Sequence, residues 1–416
     1  MALRMSIRKL AHSYGIRDIR PLCSVNATEI LQSRQIFLSP KTMSDKKLFT
    51  PGPLGTSSTV KSAMLRDLGS RDVEFIKLIK TIRSKLVQIA GVSDSTFTAV
   101  PMQGSGTFAI ESVFQTATKR SAAKVLVFEN GAYGKRLGKV CEVHGVEVDV
   151  QFFRRMTILD LKKVESILQG NNSYTLVAMV HCETSSGVIN PVEGVGKIVK
   201  QHLPESDFFV DAMSSFGAIP LDLEAAKVDY LVSSVNKCLE GVPGFSYAIA
   251  RLNKLLDCKG NSRSISLDLF EQYDNLEKTN QFRFTPPTHT MLAFAQAIQE
   301  FETEGGVEGR SARYRENCTI LKAGMKEMGF KEFLSPNHEG YIITSYCFPQ
   351  DKHFNFNNFY MKLNERDQVI YPGKVLDADC FRIGSIGYLF PNDVRHLLKC
   401  IKDVCKEMNI TLPIKE

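Results

Sequence analysis

Five short apolar runs, separated by stretches with helical spacing, constrain this chain more than any other feature. They are AKVLVFEN (123–130), SYTLVAMVH (173–181), DFFVD (207–211), VDYLVSS (228–234) and FSYAIA (245–250). Each is too short to span a membrane and has the length of a buried strand. Helical spacing lies around them: Val60, Met64, Phe75, Ile79, Ile82 and Leu86 (broken near Gly69), then Thr107–Ala117, 158–169 and 192–202. Strands alternating with helices at this interval predict an α/β fold with a doubly wound, mostly parallel sheet and right-handed crossovers. Residues 251–281 read as polar loop and then helix, and QFRFTPPTHT (281–290) as a proline turn that feeds a helix ending at Gly305. A long helix over 307–328 then bridges into a smaller α+β part. That part has strands at 340–348 and 380–384, and helices at 356–364 and 391–407. The expected organisation is therefore a large domain over 48–306, with its N-terminal arm, and a small one over 307–416.

The charge of +7 is concentrated at the start. Residues 1–47 carry nine Lys or Arg and three acids, so the rest of the chain is nearly neutral, which argues against a nucleic-acid partner. No run is long enough for a membrane span. The basic, serine-containing leader has the composition of a mitochondrial transit peptide, so the expected address is the mitochondrial matrix. The alternative is a disordered tail on a cytoplasmic protein. Ten cysteines without paired spacing suit a reducing compartment.

Two of the apolar runs end in chemistry. DFFVD closes on Asp211, and VDYLVSS runs on to SVNK and Lys237. Open α/β sheets bind ligands outside the carboxyl ends of their strands. A lysine kept partly neutral can condense with an aldehyde, and a buried carboxylate can keep a pyridine nitrogen protonated. The pair is therefore expected to face each other across pyridoxal 5′-phosphate. Either residue alone is also an ordinary helix cap or surface charge. PMQGSGTFAIES (101–112) places Ser105, Gly106 and Thr107 at a helix N-terminus. That is a phosphate site, or simply a capped helix after a glycine turn. Tyr133, near the start of the helix after 123–130, suits stacking on a flat ring or plain core packing. His181, Cys182 and Glu183 alternate in direction and so cannot converge on one metal. Arg382 sits in a strand otherwise built for burial, where it needs an anion: a substrate acid group or an internal carboxylate.

Eight segments in this order carry a resemblance: TPGPL, GSGTFAIES, VHCETSSGVINP, VDAMSSFG, SVNKCLEGVPGF, RFTPPTHTMLAF, YPGK and FRIGSIG. From about Leu48 onward the chain resembles the class V, fold-type I aminotransferases that use pyridoxal 5′-phosphate. Among them it looks most like the branch that moves the amino group of 2-aminoethylphosphonate to pyruvate. The alternative branch acts on alanine with glyoxylate, or serine with pyruvate. The resemblance implies a cofactor held on Lys237, with Asp211 at the ring nitrogen. It places Ser105, Gly106 and Thr107 at the phosphate, Tyr133 on the ring face and Thr184 near the ring's phenolic oxygen. It implies a homodimer in which Thr285 reaches the partner's phosphate, and it gives Arg382 the acid group of each substrate. A lyase of the desulfurase kind usually carries His before the lysine, where this chain has Asn236.

Overall fold

The computed structural model describes residues 45–170, 173–335, 340–371 and 379–415. The basic leader up to residue 44 and most of YPGK, all but Tyr371, lie outside the described residues. Residues Lys46–Glu416 form one compact unit. A short strand β1 (Lys47–Phe49) runs through the proline turn into α1 (Ser58–Ser62) and α2 (Val73–Ile89). Next come β2 (Phe97–Gln103), α3 (Gly106–Ala117), β3 (Lys124–Glu129), α4 (Ala132–Val143), β4 (Glu147–Phe152), α5 (Leu161–Gln169) and β5 (Leu176–Val180). A small hairpin, β6 (Cys182–Glu183) and β7 (Val188–Ile189), precedes α6 (Val192–His202), β8 (Asp207–Asp211), β9 (Tyr230–Ser234) and β10 (Phe245–Arg251). Helices α7 (Leu252–Leu256), α8 (Leu269–Thr279), α9 (Thr288–Thr303) and α10 (Gly306–Glu327) follow. The chain closes with β11 (Ile343–Cys347), α11 (Phe356–Asn364), β12 (Gln368–Ile370), β13 (Cys380–Gly384) and α12 (Pro391–Glu407).

Seven strands form the central sheet in the order β2-β10-β9-β8-β5-β3-β4. The five from β9 to β4 are parallel, and β10 is antiparallel to both its neighbours. The doubly wound, mostly parallel sheet read from the apolar runs is present. Chain order reverses between β3 and β5, which makes the carboxyl ends there a topological switch point. Strands β5 and β9 are buried at every position. Covered on both faces, they show no alternation of polar and apolar residues, although β9 closes on the buried Ser233 and Ser234.

Two strands of this sheet are not among the apolar runs. In β2, Pro101 is a breaker in sequence, yet β2 is an edge strand. The Pro101 carbonyl accepts from the Gln272 amide at 3.2 Å, so its polar side faces α8 and not the ladder with β10. At the opposite edge, β4 (EVDVQF) is only partly buried and alternates polar with apolar residues.

A large apolar cluster surrounds the sheet. A second gathers Phe49, Tyr346, Phe359, Ile370, Phe381, Leu397 and Ile401 under the β11–β13 pair and α12. The first strand joins this second cluster, since β1 pairs with β12 in parallel. Helix α10 packs Val307 against the first cluster and Leu321 and Met325 into the second. Among the described residues no helix is long and apolar enough to cross a membrane.

Candidate active site

The carboxyl edge of the sheet collects the candidate residues because successive strands all deliver their next residues to it. β2 leads into Ser105, β3 into Tyr133, β5 into Thr184, β8 ends on Asp211 and β9 leads into Lys237. Asp211 is 2% exposed, and its Oδ1 accepts the Met213 N–H at 2.9 Å. Burial pushes its carboxyl up to about 6, while that hydrogen bond and the Lys237 charge pull the other way. The Lys237 ammonium is pushed below the usual lysine range, by burial above all, with Cys238 and Asp211 opposing. Desolvation thus keeps the amine closer to neutral, the condition for a nucleophilic lysine. Its Nζ donates to the Pro51 carbonyl at 2.6 Å, so the proline-rich arm reaches the lysine directly. Gly52 permits that approach: its φ is +122°, and a Cβ there would lie 2.5 Å from Nζ.

The N-terminus of α3 is open toward the same edge. Ser105 occupies the cap position, but its hydroxyl makes no capping bond. The Phe108 N–H donates to the Ser105 carbonyl at 2.9 Å, while the hydroxyl and the Gly106 and Thr107 N–H groups form a donor set of the kind that suits an anion. Gly106 lies against the Met213 side chain, and any Cβ there would strike the Met213 sulfur. Thr107 occupies the second position of α3, in the same first turn.

Tyr133 sits in the first turn of α4, half-buried, with the Arg136 guanidinium 4.8 Å from its ring centre. That helix has no side-chain cap of its own. Glu183, fully buried, caps it from the β6 strand, accepting the Tyr133 N–H at 3.1 Å and the Gly134 N–H at 3.2 Å. The same carboxylate accepts from the Ser185 N–H and hydroxyl. Burial pushes the Glu183 carboxyl up, and these donors pull it back. Burial also pushes the Tyr133 phenol up, with the Thr184 side chain in hydrogen-bond reach. The phenol is therefore protonated at neutral pH.

Arg382, on β13, is 6% exposed. Its Nη1 donates to the Thr184 carbonyl at 2.6 Å, which ties the smaller part of the fold to the sheet edge. Nε has no hydrogen-bond partner, and no carboxylate of the described residues pairs with the guanidinium. Burial pushes its pKa down, with the Tyr133 and Tyr371 phenols opposing. Of the two readings open in the sequence, the internal salt bridge is absent among the described residues.

Asp211, Lys237, Ser105, Gly106, Thr107, Tyr133, Thr184 and Arg382 are thus brought to one edge. Thr285 is different: it is exposed in the loop before α9, and no hydrogen bond links it to the others. Four neighbours of the edge went unread in sequence. Glu183 figured only as part of an excluded metal cluster, and Arg136, Met213 and the Pro51 carbonyl were not singled out. No local pattern marks a cap donated across 50 residues. Among the described residues no group of three or more His, Cys, Asp or Glu side chains is placed to hold a metal.

The aminotransferase class-V family model matches residues 56–370. A 2-aminoethylphosphonate–pyruvate transaminase of Syntrophobacter fumaroxidans is 47% identical over 357 residues, covering 86% of this chain and 95% of that protein. A protein of the same name from Phocaeicola vulgatus is 44% identical, covering 86% of this chain and 99% of its own. Among solved structures, the ureidoglycine–glyoxylate aminotransferase of Bacillus subtilis superposes with a TM-score of 0.81 at 21% identity, over 89% of this chain and 95% of that one. That likeness carries the fold alone. The relatives overturn one expectation. They are bacterial proteins from cells without mitochondria, so the mitochondrial matrix address is withdrawn, and the cytoplasmic alternative is the one that agrees with them.

Proposed function

The chain belongs to the class-V aminotransferases, and from that premise we propose that it moves the amino group of 2-aminoethylphosphonate to pyruvate, giving phosphonoacetaldehyde and L-alanine. The reading rests on one observation above all. A desolvated lysine follows β9, and a buried carboxylate ends its parallel neighbour β8, at the carboxyl edge of the sheet.

The residues fit pyridoxal 5′-phosphate. Ser105, Gly106 and Thr107 offer a phosphate an unused hydroxyl and free helix N–H groups. Asp211 would hold the ring nitrogen protonated, Tyr133 would cover one ring face, and Thr184 would approach the phenolic oxygen. Lys237 would carry the cofactor covalently through Nζ. Bound there, the cofactor supplies an electron sink for the charge left when a substrate C–H bond breaks. The Lys237 amine would be the base that takes the proton from the substrate carbon and the acid that later gives it back. Arg382 orients the donor and then the keto acid through their acid groups, in a two-stage ping-pong cycle.

A homodimer completes the reading. Exposed Phe108 and Phe284 share a cavity with Met102, Gly104 and Phe282 beside the α3 N-terminus. An apolar surface at that place suits a second copy, whose Thr285 would reach the phosphate. We place the boundary between the large and small parts at 306/307, where α10 begins. The lyase alternative is less favoured, since Cys347 and Cys380 are register partners in the paired strands β11 and β13 and not loop residues.

The test is a half-reaction. Mixed with the yellow holoenzyme, 2-aminoethylphosphonate should bleach the cofactor band in a single turnover, and pyruvate should restore it. Bleaching by alanine, with recovery by glyoxylate and none with the phosphonate, would transfer the chain to the alanine–glyoxylate branch.

A further inference from the structure

Arg382 does not stand alone over the site. The Tyr371 ring covers its guanidinium at 4.7 Å. The two backbones are bridged, with the Tyr371 N–H donating to the Arg382 carbonyl at 3.1 Å. Tyr133 lies close enough to act on the same guanidinium. Arg382, which pairs with no carboxylate among the described residues, is therefore flanked by two phenols. No role was assigned to Tyr371 in the sequence beyond its place at the head of YPGK.

The number of donors decides what such a pocket can hold. One Nη1 hydrogen of Arg382 is committed to the Thr184 carbonyl, and Nε points to no partner. A carboxylate has two oxygens, and the fork of a guanidinium satisfies both. A phosphonate has three oxygens and up to two negative charges. A fork leaves its third oxygen bare, and a bare charged oxygen in a desolvated pocket is costly. A phenol next to the arginine meets that need. Stacked on the guanidinium, Tyr371 also keeps the cation in place, as arginine–aromatic pairs do.

We propose that Tyr371 is a specificity-determining residue: its hydroxyl supplies the third donor that lets the Arg382 site take a phosphonate as well as a carboxylate. This rests on the transaminase reading above and names the group that tells its two substrates apart. It makes a directional statement. Loss of the hydroxyl alone weakens phosphonate recognition and spares the keto acid.

Tyr371→Phe tests it, because the ring and its stacking remain. For the variant holoenzyme, KM for 2-aminoethylphosphonate should rise about tenfold or more, the loss expected for one hydrogen bond to a charged group. KM for pyruvate should stay within about twofold. Calorimetric titration of the holoenzyme with ethylphosphonate and with propionate gives a readout independent of turnover. Only ethylphosphonate should bind more weakly to the variant. Unchanged phosphonate KM and ethylphosphonate affinity would overturn the assignment, and so would equal losses for both acids, which would reduce Tyr371 to a prop for Arg382. A wild-type enzyme that turned over alanine with glyoxylate but ignored 2-aminoethylphosphonate would remove the transaminase reading and this proposal with it. An active wild type with an indifferent Tyr371→Phe would remove the proposal alone.

Discussion

Burial of Asp211 makes the apoprotein's stability depend on pH. The folded state holds a proton up to about 6 that an unfolded aspartate has lost by about 4. The stabilising contribution is full below the unfolded value and disappears as pH rises through the folded one. His181 works oppositely: burial lowers its pKa to about 4, so its contribution is present above the unfolded value near 6.5 and lost as pH falls. The whole-protein profile is therefore a sum, and a comparison with Asp211→Asn isolates one part. In urea unfolding of the apoproteins, the variant should gain on the wild type by up to about 3 kcal/mol between pH 4 and 7. It should also bind cofactor more weakly. Lys237→Ala should show no pyridoxyl mass after borohydride treatment, where the wild type carries it on that residue, and turnover should fall by roughly a thousandfold or more.

At the scale of elements, the local pattern revealed strands in the middle of the sheet more readily than those at its edges. β5 is apolar along its length, and β8 and β9 hold apolar runs, because both faces are covered, while β4 and β2 sit at the sheet edges, where polar residues and a proline are tolerated. The helix after β3 was legible, but its cap was not. Glu183 closes the N-terminus of α4 from another hairpin, so its loss strands buried N–H groups of Tyr133, Gly134 and Ser185. Glu183→Ala should cost roughly 2–4 kcal/mol in chemical denaturation, counted as a lost cap plus unsatisfied donors. Glu183→Gln keeps an acceptor and should recover part of it.

At the scale of the whole molecule, a buried charge network spans the site's two halves. Arg310 and Arg313 of α10 pair with Glu304 and with Glu240, three residues after Lys237. Arg313 also donates to the Gly387 and Leu389 carbonyls, just beyond the Arg382 strand, at 2.7 and 2.9 Å. Helix α10 thus ties the lysine turn to the arginine strand. Removing one partner leaves buried charge uncompensated, so Arg310→Met should destabilise the protein by about 3 kcal/mol, read from its urea midpoint. The proposed dimer predicts complementation. Thr285→Ala and Lys237→Ala homodimers should both be weak, and mixing them under subunit exchange should restore activity well above either. No recovery in dimers shown to be mixed would place Thr285 outside the partner's site.

What the chain determined by itself was what short-range order can hold. The strand runs, the glycine turn before a helix, and the Asp211 and Lys237 that follow buried strands are all visible, because burial period and backbone freedom are properties of neighbouring residues. What only the tertiary structure decided was which distant groups meet. Pro51 reaches Lys237 across 186 positions, and Thr184 engages Arg382 across 198. Whether Arg382 faced an internal acid or a ligand was open in the sequence for the same reason. Which side chains packing brings within hydrogen-bond range of it is something local periodicity carries no record of.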